Sequence, residues 1–197
     1  MKNLEVAATE MTNNGSLLIS GSQIDLRPIT LEDLTDNYVA WMNNYEVVRF
    51  TESRFITHTW QSIEEFIRSA NNEKTHTFAI IDKDSDKHIG NIKLGGINWN
   101  HLFGDVGLII GLKEYHGRGI ATECIRLVTE YAFSRLGLHK VWCGVYEPNI
   151  GSLRAFQKAG WEIYATEPHK YFFEGKFIIC HYLHKINNKC DYNTKPK

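Results

Sequence analysis

The stretch Glu114–Gly137, "EYHGRGIATECIRLVTEYAFSRLG", decides how the rest of the chain is read. Cys124, Ile125, Leu127, Val128, Tyr131, Ala132 and Leu136 fall at helical spacing and make one apolar face, and Gly137 supplies the stop. Ahead of that helix two glycines, Gly117 and Gly119, bracket Arg118. The first N–H groups of a helix have no partner inside it and carry a partial positive charge. Glycines let the preceding backbone curl until successive amides converge on one point. Such a loop either turns the chain into the helix or holds an anion there, with His116 and Arg118 adding charge. Two nucleotide loops are excluded by spacing. No Lys-Ser/Thr pair follows for a P-loop, and the run Gly117, Gly119, Thr122 is not G-x-G-x-x-G.

Working outward, "FGDVGLIIG" before the loop and "HKVWCGVY" after the helix read as strands, so strand, helix and strand form a crossover unit. Upstream, "THTFAIID" and "HIGNIKLGGIN" flank the turn "KDSDK" as a hairpin. "SQIDLRPIT" alternates like a strand. "TLEDLTDNYVAWMNN" reads as a helix opening at Thr30, with Asp33 completing a capping signal, and "TWQSIEEFIRSANN" as a second helix. Downstream, "NIGSLRAFQKAG" is a short helix ended by Gly160. "WEIYATE" is a strand, and "HKYFFEGKFIICHYLHK" a hairpin turning at Glu174–Gly175. The sum is one α/β domain over 21–187, with a mixed, mostly antiparallel sheet flanked by helices. Polar stretches at 1–20 and 188–197 read as flexible tails.

Composition bounds the function. The chain has 197 residues, 43% of them hydrophobic and 23% charged, with a net charge of -1. That balance gives no field for nucleic acid or an anionic membrane. No apolar run approaches a membrane span, and the N-terminus lacks the apolar core of a signal peptide. Four scattered cysteines and nine histidines show no metal-ligand spacing, so no metal is expected. Reduced thiols suit a cytoplasmic protein, a monomer or homodimer.

Two motifs carry a family resemblance. His116-x-x-Gly119-x-Ala121 stands where the N-acetyltransferases of the GNAT superfamily have Q/R-x-x-G-x-G/A, with His in place of the first residue. Asn149, Ser152, Phe156, Lys158, Gly160 and Trp161 occupy the family's N-x-x-A-x-x-x-Y-x-K-x-G-F. The chain is most similar to the branch holding ribosomal-protein, spermidine and amino-sugar acetyltransferases. The resemblance implies acetyl-CoA as co-substrate. Its pyrophosphate would lie on the amides of His116, Gly117, Arg118, Gly119, Ile120, Ala121 and Thr122. Its pantetheine arm would pair with the backbone of Leu108, Ile109 and Ile110, with Asn149, Ser152 and Phe156 beside it. A strand amide polarising the thioester carbonyl is an oxyanion-hole device.

Acetyl transfer needs a neutral amine, and deprotonating a lysine-like amine at pH 7 costs roughly 4.5 kcal/mol. The family's thiolate-protonating tyrosine is here Phe156, which has no proton to give. Ser152 is read either as the group that assists the sulfur or as a polar residue in the first turn of a helix capped by Asn149. Asp105 is read as the base or as a surface acid. Tyr171, Glu52 and Arg54 are candidates for the acceptor wall, with Tyr171 also a catalytic candidate. Glu123 is expected to serve structure, pairing with Arg118. Three functions remain open: acetylation of a small amine of amino-sugar or polyamine type, acetylation of a protein N-terminus, and a non-catalytic acyl-CoA-binding module.

Overall fold

The computed structural model describes the backbone of residues 8–11 and the whole of residues 17–188. The sheet orders its nine described strands β1-β2-β3-β4-β5-β6-β7-β9-β8. In chain order they are β1 (Ala8–Met11), β2 (Leu17–Ser20), β3 (Ile24–Pro28), β4 (His76–Asp82), β5 (His88–Asn98), β6 (Phe103–Ile110), β7 (Lys140–Tyr146), β8 (Glu162–Phe173) and β9 (Lys176–Ile186). The helices are α1 (Asp36–Met42), α2 (Tyr45–Val48), α3 (Trp60–Ser69), α4 (Ile120–Ser134) and α5 (Ile150–Lys158). Every strand pair is antiparallel except β6 with β7. The expected mixed, mostly antiparallel α/β sheet is therefore what forms.

Strand alternation divides the interior into two layers. On β4, Phe78 and Ile80 turn into one core with α4 and α5, while Ala79 and Ile81 turn into another with α1 and α3. α4 supplies Cys124, Ile125 and Val128, all wholly buried, to the first core. Trp161, just past α5, stacks edge-on against Phe156 at 4.8 Å and donates its indole N–H to Thr129 of α4 at 3.2 Å, so the two helices are locked together. A third, smaller cluster joins Tyr146, Phe173 and Ile178 to Phe50 and Tyr171.

Three expectations need correction. The tail expected over 1–20 is partly sheet: β1 pairs with β2, β2 pairs with β3, and Ile19 is wholly buried in the main core. The apolar "LLI" of β2 finds its cover beneath α4, which its polar flanks conceal in the sequence. The tail expected over 188–197 lies outside the described residues except for Asn188. Its neighbour Asn187 is buried and fixed to the Leu138 and His139 carbonyls.

Second, the first helix does not run from Thr30. A 3-10 turn spans Leu31–Asp33, Leu34 then goes extended, and α1 begins at Asp36 with the Thr35 hydroxyl accepting from the Tyr38 amide. Asp33 is the cause. It faces inward to take both guanidinium nitrogens of Arg27, at 2.7 and 2.8 Å, and the Thr30 amide at 2.8 Å. Third, "WEIYATE" and "HKYFF" are a single strand, β8, with irregular pairing at Ile163/Ala165 and Glu167/Tyr171. Its hairpin turns where expected, with positive φ at both Glu174 and Gly175.

Candidate active site

The site begins with a ladder that stops. β6 and β7 pair only at Phe103–Asp105 against Lys140–Trp142, although both strands run on to Ile110 and Tyr146. β5 covers one edge of β6 and β9 one edge of β7. The facing edges past residues 105 and 142 therefore have no ladder partner, and their alternate N–H and C=O groups border a gap. A cleft of about 110 Å³ occupies it. Val106, Gly107 and Leu108 line one side and residues 143–146 the other. Asn149, Ser152 and Phe156 of the α5 segment also line it, as do Phe50 and Thr51. Of the backbone expected beside the pantetheine arm, Leu108 lines the cleft, while Ile109 and Ile110 continue the same unpaired run toward the loop.

At the end of that run sits the Gly-rich loop. Gly117 and Gly119 have φ of 75° and 88°, a region that favours glycine, and no atom lies within 4 Å of a Cβ built at Gly117. Gly119 is the N-cap of α4, and the amide of Glu123 is already bonded to its carbonyl. The amides of Ile120, Ala121 and Thr122 precede that bond and have no carbonyl four residues back within the helix. His116 turns its Nε2 to the Ile110 carbonyl at 3.2 Å, tying the loop to β6, and the Arg118 guanidinium lies over the Tyr115 ring at 5.1 Å. The convergence of amides, helix N-terminus and open space fits a pyrophosphate. Glu123 serves structure as expected, but its partner is different: both oxygens bond the Ser22–Gln23 turn rather than Arg118.

Helix α5 presents the second motif. Asn149 donates its amide to the Tyr146 carbonyl at 2.8 Å and accepts the Ser152 amide on Oδ1 at 3.2 Å. That is the capping role. The Ser152 hydroxyl makes no bond to the protein among the described residues, and Ser152 lines the cleft. Phe156 is wholly enclosed and does both jobs open to it, packing on Trp161 and lining the cleft.

The three residues expected at the acceptor wall do converge, and they converge on a fourth. The Tyr146 hydroxyl donates to Glu52 at 2.6 Å and accepts from Arg54 at 3.1 Å, while the Tyr171 ring stacks on the Tyr146 ring at 4.5 Å. Partial burial and the Glu52 carboxylate push the Tyr146 phenol up to about 12, so it stays protonated near neutrality. Arg54 also donates to the Arg49, Thr51 and Phe172 carbonyls and lies over the Tyr146 and Phe173 rings. Arg49 grips Glu174 at 2.6 Å, fastening the β8–β9 hairpin to α2. Tyr146 closes an apolar strand and reads as core, which hides it. Its one signal is its place three residues before the capping Asn149.

Asp105 stands apart. It occupies the last closed rung of the β6–β7 ladder, opposite Trp142, and ion-pairs with Lys93 at 3.7 Å. It does not line the cleft. Among the described residues no group of three or more His, Cys, Asp or Glu could hold a metal ion, and no helix is long and apolar enough to cross a membrane.

Comparison with known proteins agrees with this geometry. The family model of the acetyltransferase (GNAT) domain matches residues 23–162. Spermidine N(1)-acetyltransferase of Escherichia coli is 26% identical over 159 residues, 80% of this chain and 83% of that protein. "Probable N-acetyltransferase YjcK" of Bacillus subtilis is 29% identical over 150 residues, 73% of this chain and 82% of its own. The crystal structure of Vibrio cholerae spermidine N-acetyltransferase in complex with CoA and spermine superposes with a TM-score of 0.76. It covers 86% of this chain and 98% of that one, at 22% identity.

Proposed function

Because the chain belongs to the GNAT acetyltransferases, which take acetyl-CoA as co-substrate, we propose that it acetylates a primary amine of a small molecule of amino-sugar or polyamine type by direct attack in a ternary complex. The observation that carries this reading is the cleft at the β6–β7 seam. It is lined by Tyr146, whose hydroxyl and ring bring Glu52, Arg54 and Tyr171 to the same end, and the unpaired edge of β6 leads from it toward the Gly-rich loop. The spermidine acetyltransferase relative supports a polyamine among the small amines.

On this reading the amides of residues 116–122 hold the pyrophosphate, and the unpaired edge of β6 at Leu108–Ile110 takes the pantetheine arm as an added strand. The bound co-substrate supplies the acetyl thioester. A β6 amide polarises its carbonyl. Ser152, whose hydroxyl is uncommitted, donates toward the departing sulfur; a thiol with an ordinary pKa near 8.5 needs only modest help. Asp105, ion-paired with Lys93 at the last closed rung of the ladder and outside the lining of the cleft, serves the seam on this reading. The protein is a cytoplasmic enzyme on this reading.

The test is acetyl-CoA-dependent thiol release across spermidine, spermine, amino sugars, amino acids and N-terminal peptides. Turnover on an amino sugar or polyamine is expected. Turnover confined to peptides would overturn the small-molecule acceptor.

A further inference from the structure

The wall contains more polar chemistry than holding a ligand requires. A phenol oxygen has one proton to give and two lone pairs to receive. In Tyr146 the proton goes to Glu52 at 2.6 Å, and one lone pair takes Arg54 at 3.1 Å. The second lone pair has no partner among the described residues, and Tyr146 lines the cleft. The Glu52 side chain is bonded through Oε1, with no cation on either oxygen among the described residues. Glu46 and Glu174 are spent on Arg49, and Glu167 on Lys170 and Tyr182. Among the described residues Glu52 is thus the one carboxylate of this wall that bonds a cleft-lining side chain and is not held by a basic group.

We propose that Tyr146 is the catalytic residue that receives the acceptor's proton, with Glu52 behind it as the terminal base and Arg54 fixing the direction of the relay. This deepens the acetyl-transfer reading above and rests on it. The ammonium of the acceptor donates to the free lone pair of Tyr146. Its N–H bond breaks as the phenol takes that proton, and the phenol's own proton passes to Glu52. The neutral nitrogen then bonds to the acetyl carbon and the carbon–sulfur bond breaks. The second nitrogen proton is lost and the sulfur gains one, so the products are the amide, the free thiol and one proton, which leaves Glu52 for water. The phenol is never free as a phenolate, consistent with its raised pKa. Arg54 occupies the lone pair that would otherwise compete for an N–H, which leaves a single way through.

Other groups facing Tyr146 do not offer an alternative base. Tyr171 of β8 stacks on its ring, and its own phenol is raised by burial. Cys180 of β9 lies across the ladder, buried and with its thiol pushed up. The Arg49–Glu174 pair lies behind the Phe50–Phe173 stack and is closed on itself.

The test is the pH profile of kcat/KM from pH 6.0 to 8.5 for wild type, Tyr146→Phe, Glu52→Gln and the double variant, using whichever amine wild type turns over. Tyr146→Phe keeps the stacked ring, and Glu52→Gln keeps a hydrogen-bonding partner, so one reports if the other misfolds. Each single variant should lose about 100-fold in kcat. Each should also replace the wild-type plateau with a rate that climbs tenfold per pH unit, because free amine must then come from solution. Acetyl-CoA affinity should be unchanged. The double variant should be no worse than the poorer single one, since one relay cannot be broken twice. Wild-type turnover with the same pH profile in both variants, or losses that multiply in the double variant, would overturn the relay alone. Absence of wild-type turnover on every amine would overturn the acetyl-transfer reading and the relay with it.

Discussion

At Gly119 the backbone has φ of 88°, and the nearest atom to an added Cβ is the Gln23 side-chain nitrogen at 4.0 Å. Bulk there meets no protein core, so a substitution acts through backbone conformation and through whatever approaches the loop. Gly119→Val should weaken acetyl-CoA binding by at least tenfold in calorimetry while lowering Tm by only a few degrees. Wild-type affinity in that variant would remove the loop from the cofactor site. Ser152 is judged differently, because its amide already serves the cap and its hydroxyl does not. Ser152→Ala keeps the cap and should lower kcat with little change in the KM for acetyl-CoA, as loss of a transition-state contact does. A kcat equal to wild type, with chemistry limiting, would leave Ser152 only its place in the helix. The glycine loop and the Asn149 cap were legible in the sequence because each is a local backbone device with its own residue signature. Tyr146 was not, since its partners Glu52 and Arg54 lie more than ninety residues upstream and reach it only when β7 is in the sheet.

At the scale of elements, the sequence shows hydrophobic period well and side-chain commitment poorly. α4 was readable because its apolar stripe is long and its stop is a glycine with positive φ, Gly137. The start of α1 was misread because the Thr30–Asp33 capping signal opens only a 3-10 turn: Asp33 also takes the guanidinium of Arg27 on β3, and the chain goes extended at Leu34 before α1 begins. β2 was missed because four residues between polar flanks hold too little pattern to outweigh them. The Arg27–Asp33 pair gives this end of the fold a pH signature. Burial alone would raise the Asp33 pKa, but the Arg27 guanidinium, the Thr30 amide and nearby His88 outweigh it and hold the carboxylate below its ordinary range. A depressed folded-state pKa contributes stability that is present above the unfolded value near 3.9 and is lost as pH falls through the folded one. Asp33→Asn should therefore cost about 2 kcal/mol at pH 7, less than a fully buried pair because Arg27 is one-third exposed. The gap in Tm between wild type and variant should close as pH is lowered below about 4. A gap that stays constant from pH 7 to pH 3 would show that the charge of Asp33 is not what matters.

Across the whole molecule the β6–β7 seam divides the sheet. β1 to β6 lie on one side of it and β7, β9 and β8 on the other, with three residue pairs of parallel ladder between them. Helix α4 spans the seam by touching β2, β3, β5, β6 and β7, and α5 is fastened to it through Trp161 and Thr129. On the opposite side polar bridges, Glu52 and Arg54 to Tyr146 and Arg49 to Glu174, accompany the packing of Phe50 on Tyr146 and Phe173. A co-substrate lying along the open edge of β6 would fill the missing strand and bear on both halves at once. A ligand that binds only the folded state adds about 2.7 kcal/mol at one hundred times its Kd. For a domain of this length that corresponds to a rise of roughly 5–10 °C in Tm. Hydrogen exchange should locate the gain, because filling the seam protects amides on both of its edges. Saturating CoA should slow exchange at 106–110 and 116–122 on one side, and at 143–146 together with the first turn of α5 on the other. Gly119→Val should lose protection on both edges together, since a pyrophosphate held at the loop would anchor the whole ligand. Protection confined to 116–122, with 106–110 and 143–146 exchanging as in the free protein, would mean that the ligand binds the loop without entering the seam. The cleft would then not be the place where acetyl group and amine meet.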